Sequence, residues 1–253
     1  MTTLLQTTSM SVTFGGLKAV NEVDFAVQKG QLVGLIGPNG AGKTTFIDGI
    51  TGFVPTTGRI EFAGRDIGSL PPHRRAKLGL GRTWQSLELF DDLSVRENLQ
   101  VAAEKQSVGS FFADLVAPRR SRDSSSTDWA LDVLGIADLA SKMPNEISQG
   151  QRKLVSAARA LAARPELVCM DEPAAGLDSA ESRVLGDRLR DIISAGSTIF
   201  LVDHDMGLVL NVCDYIYVIE FGVKIAEGTP SEIQKNPRVI EAYLGHSAEE
   251  ETH

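Results

Sequence analysis

Residues 37 to 44 read Gly37-Pro38-Asn39-Gly40-Ala41-Gly42-Lys43-Thr44. This fits G-x-x-x-x-G-K-[ST], a loop whose backbone closes around phosphate. Further along, two adjacent carboxylates, Asp171 and Glu172, end the apolar run Leu167-Val168-Cys169-Met170. A carboxylate at a strand end can order a metal ion, and its neighbour can orient or deprotonate a water. The loop alone implies binding of a nucleoside triphosphate. Loop and carboxylates together imply its hydrolysis.

Each residue type has a physical reason to be where it is. Gly37, Gly40 and Gly42 leave room for close approach of backbone to phosphate, which a Cβ would obstruct. The loop N–H groups and the helix start that follows, from Lys43, form a ready anion site. Lys43 reaches the β- and γ-phosphates and the Thr44 hydroxyl ligates Mg²⁺, while Thr45 adds a hydroxyl near the α- and β-phosphates. Asp171 holds the Mg²⁺ shell, and Glu172 acts on the attacking water. Phosphoryl transfer asks little covalent chemistry of a protein, so positioning and charge stabilisation carry the rate.

Elements that could position these groups are legible around them. Ser9–Phe14 and Val23–Val27 read as strands of a β-rich lead-in, and Lys29-Gly30 as the turn before a buried strand, Gln31–Ile36, that runs into the loop. A helix follows from Lys43 to about Ile50, stopped near Gly52 and Pro55. Arg59–Ala63 reads as a strand, Gly64-Arg65-Asp66 as a turn, and Pro71-Pro72 opens a polar helical stretch ending at Gly79 and Gly81. Residues 94–105 read as a helix with a capping box of Ser94 and Glu97. Residues 106–127, with the polar run from Pro118, read as a solvated loop. Helices resume at Trp129–Ala140 and at 150–163. Buried strands recur at 167–171, 198–203 and 215–220, the first two separated by a helix. The pattern predicts an α/β fold: a P-loop NTPase core with a mostly parallel sheet, an N-terminal antiparallel β lead-in and an inserted helical subdomain. Residues 1–245 are expected to form one domain, its core at about 1–71 and 161–245 and its strand-free helical subdomain at about 72–160. Residues 246–253 read as a frayed acidic tail.

Bulk properties narrow the setting. The 253 residues are 42% hydrophobic and 23% charged, ordinary for a globular protein. No apolar run reaches the ~20 residues of a membrane-spanning helix, and the N-terminus carries no secretory pattern. Cys169 and Cys213 lie in apolar stretches, outside disulfide or metal-ligand spacing, which suits small buried residues in a reducing, cytoplasmic compartment. A net charge of −8 disfavours a dedicated nucleic-acid binder.

Further landmarks stand in a fixed order. Ile147-Ser148-Gln149-Gly150-Gln151 resembles the signature motif of ATP-binding cassette (ABC) ATPases, with Gln149 where the family usually has glycine. Gln85, in Arg82-Thr83-Trp84-Gln85, matches the family's Q-loop. Ala175-Gly176-Leu177-Asp178 matches its D-loop, His204 its switch histidine and Phe14 its adenine-stacking aromatic. The resemblance implies that two nucleotide domains close head to tail around two ATP molecules. Ser148, Gly150 and Gln151 would then meet the phosphate bound by a partner. Gln85 would approach Mg²⁺ and the attacking water, and His204 the γ-phosphate.

Local stretches are most similar to the ATP-binding subunits of branched-chain (hydrophobic) amino-acid uptake systems: Phe14–Asn21, Arg82–Gln85 with Leu93–Leu99, Asp171–Leu177, Asp203–Met206 and Asn236–Gly245. That resemblance implies integral-membrane permease partners, a second ATPase subunit (the same chain or a homologue) and, indirectly, a solute-binding protein. It places the chain on the cytoplasmic face of the membrane, with the surface around Gln85 to Leu93 receiving the permease. Urea/amide uptake and lipopolysaccharide-export ATPases share the Tyr-Leu-Gly ending and are alternatives. So, from another class, is a soluble ABC ATPase acting on DNA or ribosomes, although this chain lacks the second nucleotide domain or long coiled coil usual there.

Overall fold

Side-chain alternation along the buried strands divides the interior in two. In β3 (Leu32–Ile36), Leu32 and Ile36 face one apolar cluster while Val33 and Leu35 face the other. The same split recurs in β7 (Leu167–Asp171), β8 (Ile199–Val202) and β9 (Tyr215–Glu220). Strands covered on both faces read in sequence as continuous apolar runs, which is why they were recognisable. The computed structural model describes residues 2–83, 89–103 and 125–250, with side chains as far as Tyr243.

The larger sheet has the order β10-β9-β3-β8-β7-β6, with β10 being Val223–Gly228 and β6 being Leu80–Arg82. All neighbours in it are parallel except β10, which runs antiparallel to β9. A second, antiparallel sheet has the order β2-β1-β4-β5, built from β1 (Thr3–Phe14), β2 (Leu17–Gln28), β4 (Thr57–Phe62) and β5 (Arg65–Asp66). Helix α1 (Lys43–Thr51) shares the core between the two sheets. There Phe25 of β2 packs its ring 5.2 Å from Phe46, 4.7 Å from Phe200 and 4.5 Å from Tyr217. Helices Val95–Ala103, Ser125–Val133, Gln149–Ala162 and Ser179–Ser194 build on the opposite cluster.

Several expectations are corrected. The expectation of a strand-free block at 72–160 fails at Leu80–Arg82, which pairs in parallel with Leu167–Cys169. Two glycines around so short a strand hid it. Arg65–Asp66, read as turn, is β5, and β10 was missed because its face is half-exposed and weakly apolar. The expected 106–127 loop lies outside the described residues at 104–124, but Ser125–Thr127 open a helix, with Thr127 buried. The helix expected over Trp129–Ala140 runs instead over Ser125–Val133, followed by a 3₁₀ turn at Ala137–Leu139. The expected frayed tail is helical as far as Glu250, continuing the helix from Pro237; residues 251–253 lie outside the described set. The Ser94/Glu97 capping box is present, with the Glu97 carboxylate accepting from the Ser94 amide at 2.8 Å.

One buried cation fixes the helix that follows the loop. Arg75, in helix α2 (Pro72–Lys77), is 3% exposed and donates to the carbonyls of Gly49, Ile50, Gly68 and Leu70 at 2.6–2.9 Å. It therefore collects orphan carbonyls at the C-terminal end of α1. Replacing Arg75 with Met is expected to lower unfolding stability by about 2–4 kcal/mol, because buried carbonyls lose their donor. Arg75→Lys should rescue only part of the loss, since one ammonium cannot span four carbonyls. Urea unfolding of the three proteins checks both.

Candidate active site

β3 delivers the phosphate loop and α1 receives it. At Gly37 a Cβ would stand 2.1 Å from the Ile219 carbonyl oxygen, and at Gly42, in the left-handed region at φ +98°, 2.4 Å from that of Ala19. Only glycine fits at either place. Gly42 is also the N-cap of α1 and offers no side-chain acceptor. The first-turn amides, including those of Thr44 and Thr45, therefore meet no capping side chain and are left to accept an anion. Lys43 is 5% exposed and donates from Nζ to the carbonyls of Gly37 (2.8 Å) and Pro38 (3.0 Å). Burial lowers its pKa, and Glu172, Asp171 and Asp203 pull it back up. Ala41 is buried and donates to Pro38; Asn39 and Gly40 are exposed at the loop crest.

The carboxylates converge from the ends of the neighbouring strands. Asp171, the last residue of β7, is 2% exposed. Burial pushes its carboxyl up to about 6, although the adjacent Arg82 guanidinium works to lower it. Arg82 donates to Asp171 Oδ2 (3.3 Å), to Thr51 Oγ1 (3.1 Å) and to Asp48, tying β6, β7 and α1 together. The Asp171 backbone N–H meets Thr83 Oγ1 at 3.3 Å. Asp171 Oδ1 is buried and without a hydrogen-bond partner, and such a lone oxygen suits a hard cation. Among the described residues no group of three or more His, Cys, Asp or Glu is arranged to hold a metal by itself.

Glu172 sits at φ +49°, a left-handed conformation rarely adopted outside glycine, with its N–H on Val202 O at 2.7 Å. The turn sets its carboxylate 3.8 Å from His204 Nδ1, an imidazole half-open to solvent. Asp203, fully buried, accepts from the amides of Ala174 and Asp205 at 3.0 Å each. Burial raises its pKa, opposed by those amides. It fixes the segments carrying Glu172 and His204 to each other. Sequence reasoning missed this role, and also Arg82 and Thr83; an aspartate next to the switch histidine was the one available signal.

The remaining residues divide. Ser148 caps the helix Gln149–Ala162: its hydroxyl accepts from Gln151 N, and the Gln151 carboxamide accepts from Ser148 N. Gly150 lies against the helix after the D-loop, where a Cβ would meet Glu181 Oε1 at 2.7 Å. Gln149 is exposed at the helix start. Asp178 caps Ser179–Ser194 by accepting from the Ala180 and Glu181 amides. Phe14 ends β1 with 48% of its surface exposed, available for stacking. Gln85 and Trp84 lie outside the described residues.

The raised Asp171 pKa has a definite sign for stability. Between about pH 4 and 6 the folded state keeps a proton that the unfolded chain has released, so stability falls as pH rises through that window and stays lower above it. Asp171→Asn removes that penalty, on the order of 2 kcal/mol. In EDTA without nucleotide, its melting temperature is expected to exceed the parent's at pH 7.5, the gain shrinking toward pH 4. A gain that does not vary with pH would contradict this.

With this geometry established, comparisons with known proteins identify the family. Residues 20–175 match the family described as ABC transporter, and residues 223–249 that described as branched-chain amino acid ATP-binding cassette transporter. The chain is 38% identical to the high-affinity branched-chain amino acid transport ATP-binding protein LivG of Salmonella typhimurium over 96% of this chain and 98% of the relative. The corresponding protein BraF of Pseudomonas aeruginosa gives the same figures. Among solved structures, the ADP conformation of MJ1267, an ATP-binding cassette of an ABC transporter, superposes with TM-score 0.85 and 31% identity, covering 97% of this chain and all of that one. The chain therefore belongs to the ABC transporter family of ATP-hydrolysing subunits, in the group that contains LivG and BraF.

Proposed function

We propose that the chain powers uptake of branched-chain or other hydrophobic amino acids through a separate permease, working at the cytoplasmic face of the membrane as one of a pair of ATPase subunits. The observation that carries the mechanistic part is convergence. Lys43, Asp171, Glu172 and His204 lie at or just beyond the C-terminal ends of β3, β7 and β8, the end of a parallel sheet where ligands bind. The substrate class rests on LivG and BraF, which are branched-chain amino acid transport proteins by name. The terminal segment's match to the branched-chain family supports the same class. Among the described residues no helix is long and apolar enough to cross a membrane, so the membrane passage is assigned to the permease.

In this reading Phe14 stacks on adenine, and the amides and hydroxyls of residues 37–45, with Lys43, hold the phosphates. Thr44 and Asp171, joined by Gln85, would hold Mg²⁺, which would supply positive charge against the phosphate oxygens. Glu172 takes the proton of the attacking water as it turns toward the γ-phosphate, and His204 holds that phosphate in place. Ser148, Gly150 and Gln151 close on the γ-phosphate of the partner subunit's nucleotide. ATP binding shuts the pair and turns the permease; hydrolysis reopens it.

Glu172→Gln is expected to keep MgATP binding and lose hydrolysis by roughly 10²–10⁴-fold. Near-normal phosphate release in that variant would remove Glu172 from its role. Lys43→Ala is expected to weaken MgATP binding at least tenfold, measured by titration with a fluorescent analogue; an unchanged affinity would refute the loop assignment. Affinity capture of the Glu172→Gln protein from solubilised membranes with MgATP should bring down a permease, and recovery of DNA or ribosomes instead would overturn the transport reading.

A further inference from the structure

Two helices leave the catalytic end of the sheet side by side. Ser179–Ser194 begins directly after Ala175–Asp178, and Met206–Val212 directly after Asp203, His204 and Asp205. They lie so close that a Cβ at Gly186 would stand 3.0 Å from Val212 Cγ1 and 3.1 Å from Leu208 Cδ1. Between them a side-chain hydrogen bond joins residues 23 apart in sequence. Ser182 is 7% exposed, and its Oγ donates to Asp205 Oδ2 at 2.7 Å. Asp205 Oδ1 accepts from the Leu208 amide at 3.0 Å and so caps its own helix. The Asp205 N–H donates to Asp203 Oδ1, also at 3.0 Å. Both carboxylate oxygens and the N–H of Asp205 are thus engaged. His204 sits between these two fixed aspartates with its ring half-open to solvent. Its Nδ1 is 3.8 Å from Glu172 Oε1 and from Asp203 Oδ1, outside hydrogen-bond reach. Backbone held on either side, rather than a bond to the ring at Nδ1, therefore sets where the imidazole stands.

We propose that Ser182 and Asp205 are positioning residues for His204, binding the backbone that carries the imidazole to the helix that follows Ala175–Asp178. Burial works to raise the Asp205 pKa, but the Ser182 hydroxyl and the Leu208 and Gly207 amides outweigh it and hold the carboxyl below its usual range. At neutral pH the hydroxyl therefore meets a charged acceptor, the stronger kind of hydrogen bond. Ser182 lies one turn into the helix that Asp178 caps through the Ala180 and Glu181 amides. A shift of Ala175–Asp178 is in this way passed through a single helical turn and one hydrogen bond to the residue beside His204. The histidine then faces Glu172 correctly only while that helix is seated. This inference rests on His204 acting at the nucleotide as proposed above.

The test is a double-mutant cycle on the full chain with MgATP: Ser182→Ala, which removes the hydroxyl and leaves the Asp205 cap, His204→Ala, and the two together. Ser182→Ala alone is expected to lower kcat about 3–10-fold, the worth of one hydrogen bond, with KM within a factor of two. In the His204→Ala background the same change is expected to alter kcat less than twofold, because the residue it positions is gone. An equal fall in both backgrounds overturns the proposal, since it marks a packing role independent of the imidazole. So does an unchanged kcat in Ser182→Ala, whatever happens to melting temperature. The His204 ring signal in the proton NMR spectrum, identified by its loss in His204→Ala, gives a readout apart from activity. It is expected to shift in Ser182→Ala while the other histidine signals stay; an unmoved signal overturns the proposal, and this readout decides where His204→Ala leaves no measurable turnover. A kcat impaired in His204→Ala but normal in Ser182→Ala defeats this inference alone. A normal kcat in His204→Ala defeats the role of His204 and takes this inference with it.

Discussion

Everything at the catalytic end of the sheet depends on keeping a carboxylate charged where water hardly reaches. Asp171 cannot do this alone, because burial favours its protonated form. The Arg82 guanidinium provides the countercharge and at the same time binds Asp48 and Thr51 of α1. One planar cation therefore sets the distance between the strand that ends in Asp171 and the helix that begins with the phosphate loop. A buried ion pair of this kind contributes little net stability, but it fixes a unique arrangement. By occupying one carboxylate oxygen it leaves the other, Oδ1, without a hydrogen-bond partner.

Strain is concentrated one residue later. Glu172 adopts a left-handed backbone that costs about 1–3 kcal/mol, and it is held there by the Val202 carbonyl and by the Asp203 carboxylate that binds Ala174. The β7–β8 ladder is short and wholly buried, so it can hold a turn that a free peptide would relax. What that gains is direction: the carboxylate swings out of the sheet line and faces His204.

The parts of this site that sequence discloses are those encoded by short spacing: the glycine loop, the Asp171-Glu172 pair and the helix start at Ser148. The buried strands were equally readable, because a parallel sheet leaves unbroken apolar runs. What escaped depends on contacts across the fold. Arg82 and Asp171 are 89 residues apart, and no local pattern joins them. β6 carries three residues, too few for a period to show. The acidic composition of the C-terminus masked a helix, since charge density argues for fraying while the anchoring residues Val239 and Ala242 lie upstream.

Ser148 and Gln151 satisfy each other's backbone amides before any second subunit arrives. A helix start so provided for needs no guest to remain folded. In the proposed reading, a phosphate oxygen from the partner's nucleotide would substitute for an acceptor already present instead of rescuing an orphan donor, so that only the difference between two acceptors would be gained. Association on such terms is shallow, and a shallow contact lets go. If the chain works as one of a pair, as proposed, a helix start that is already self-sufficient would favour parting of the pair after each turnover.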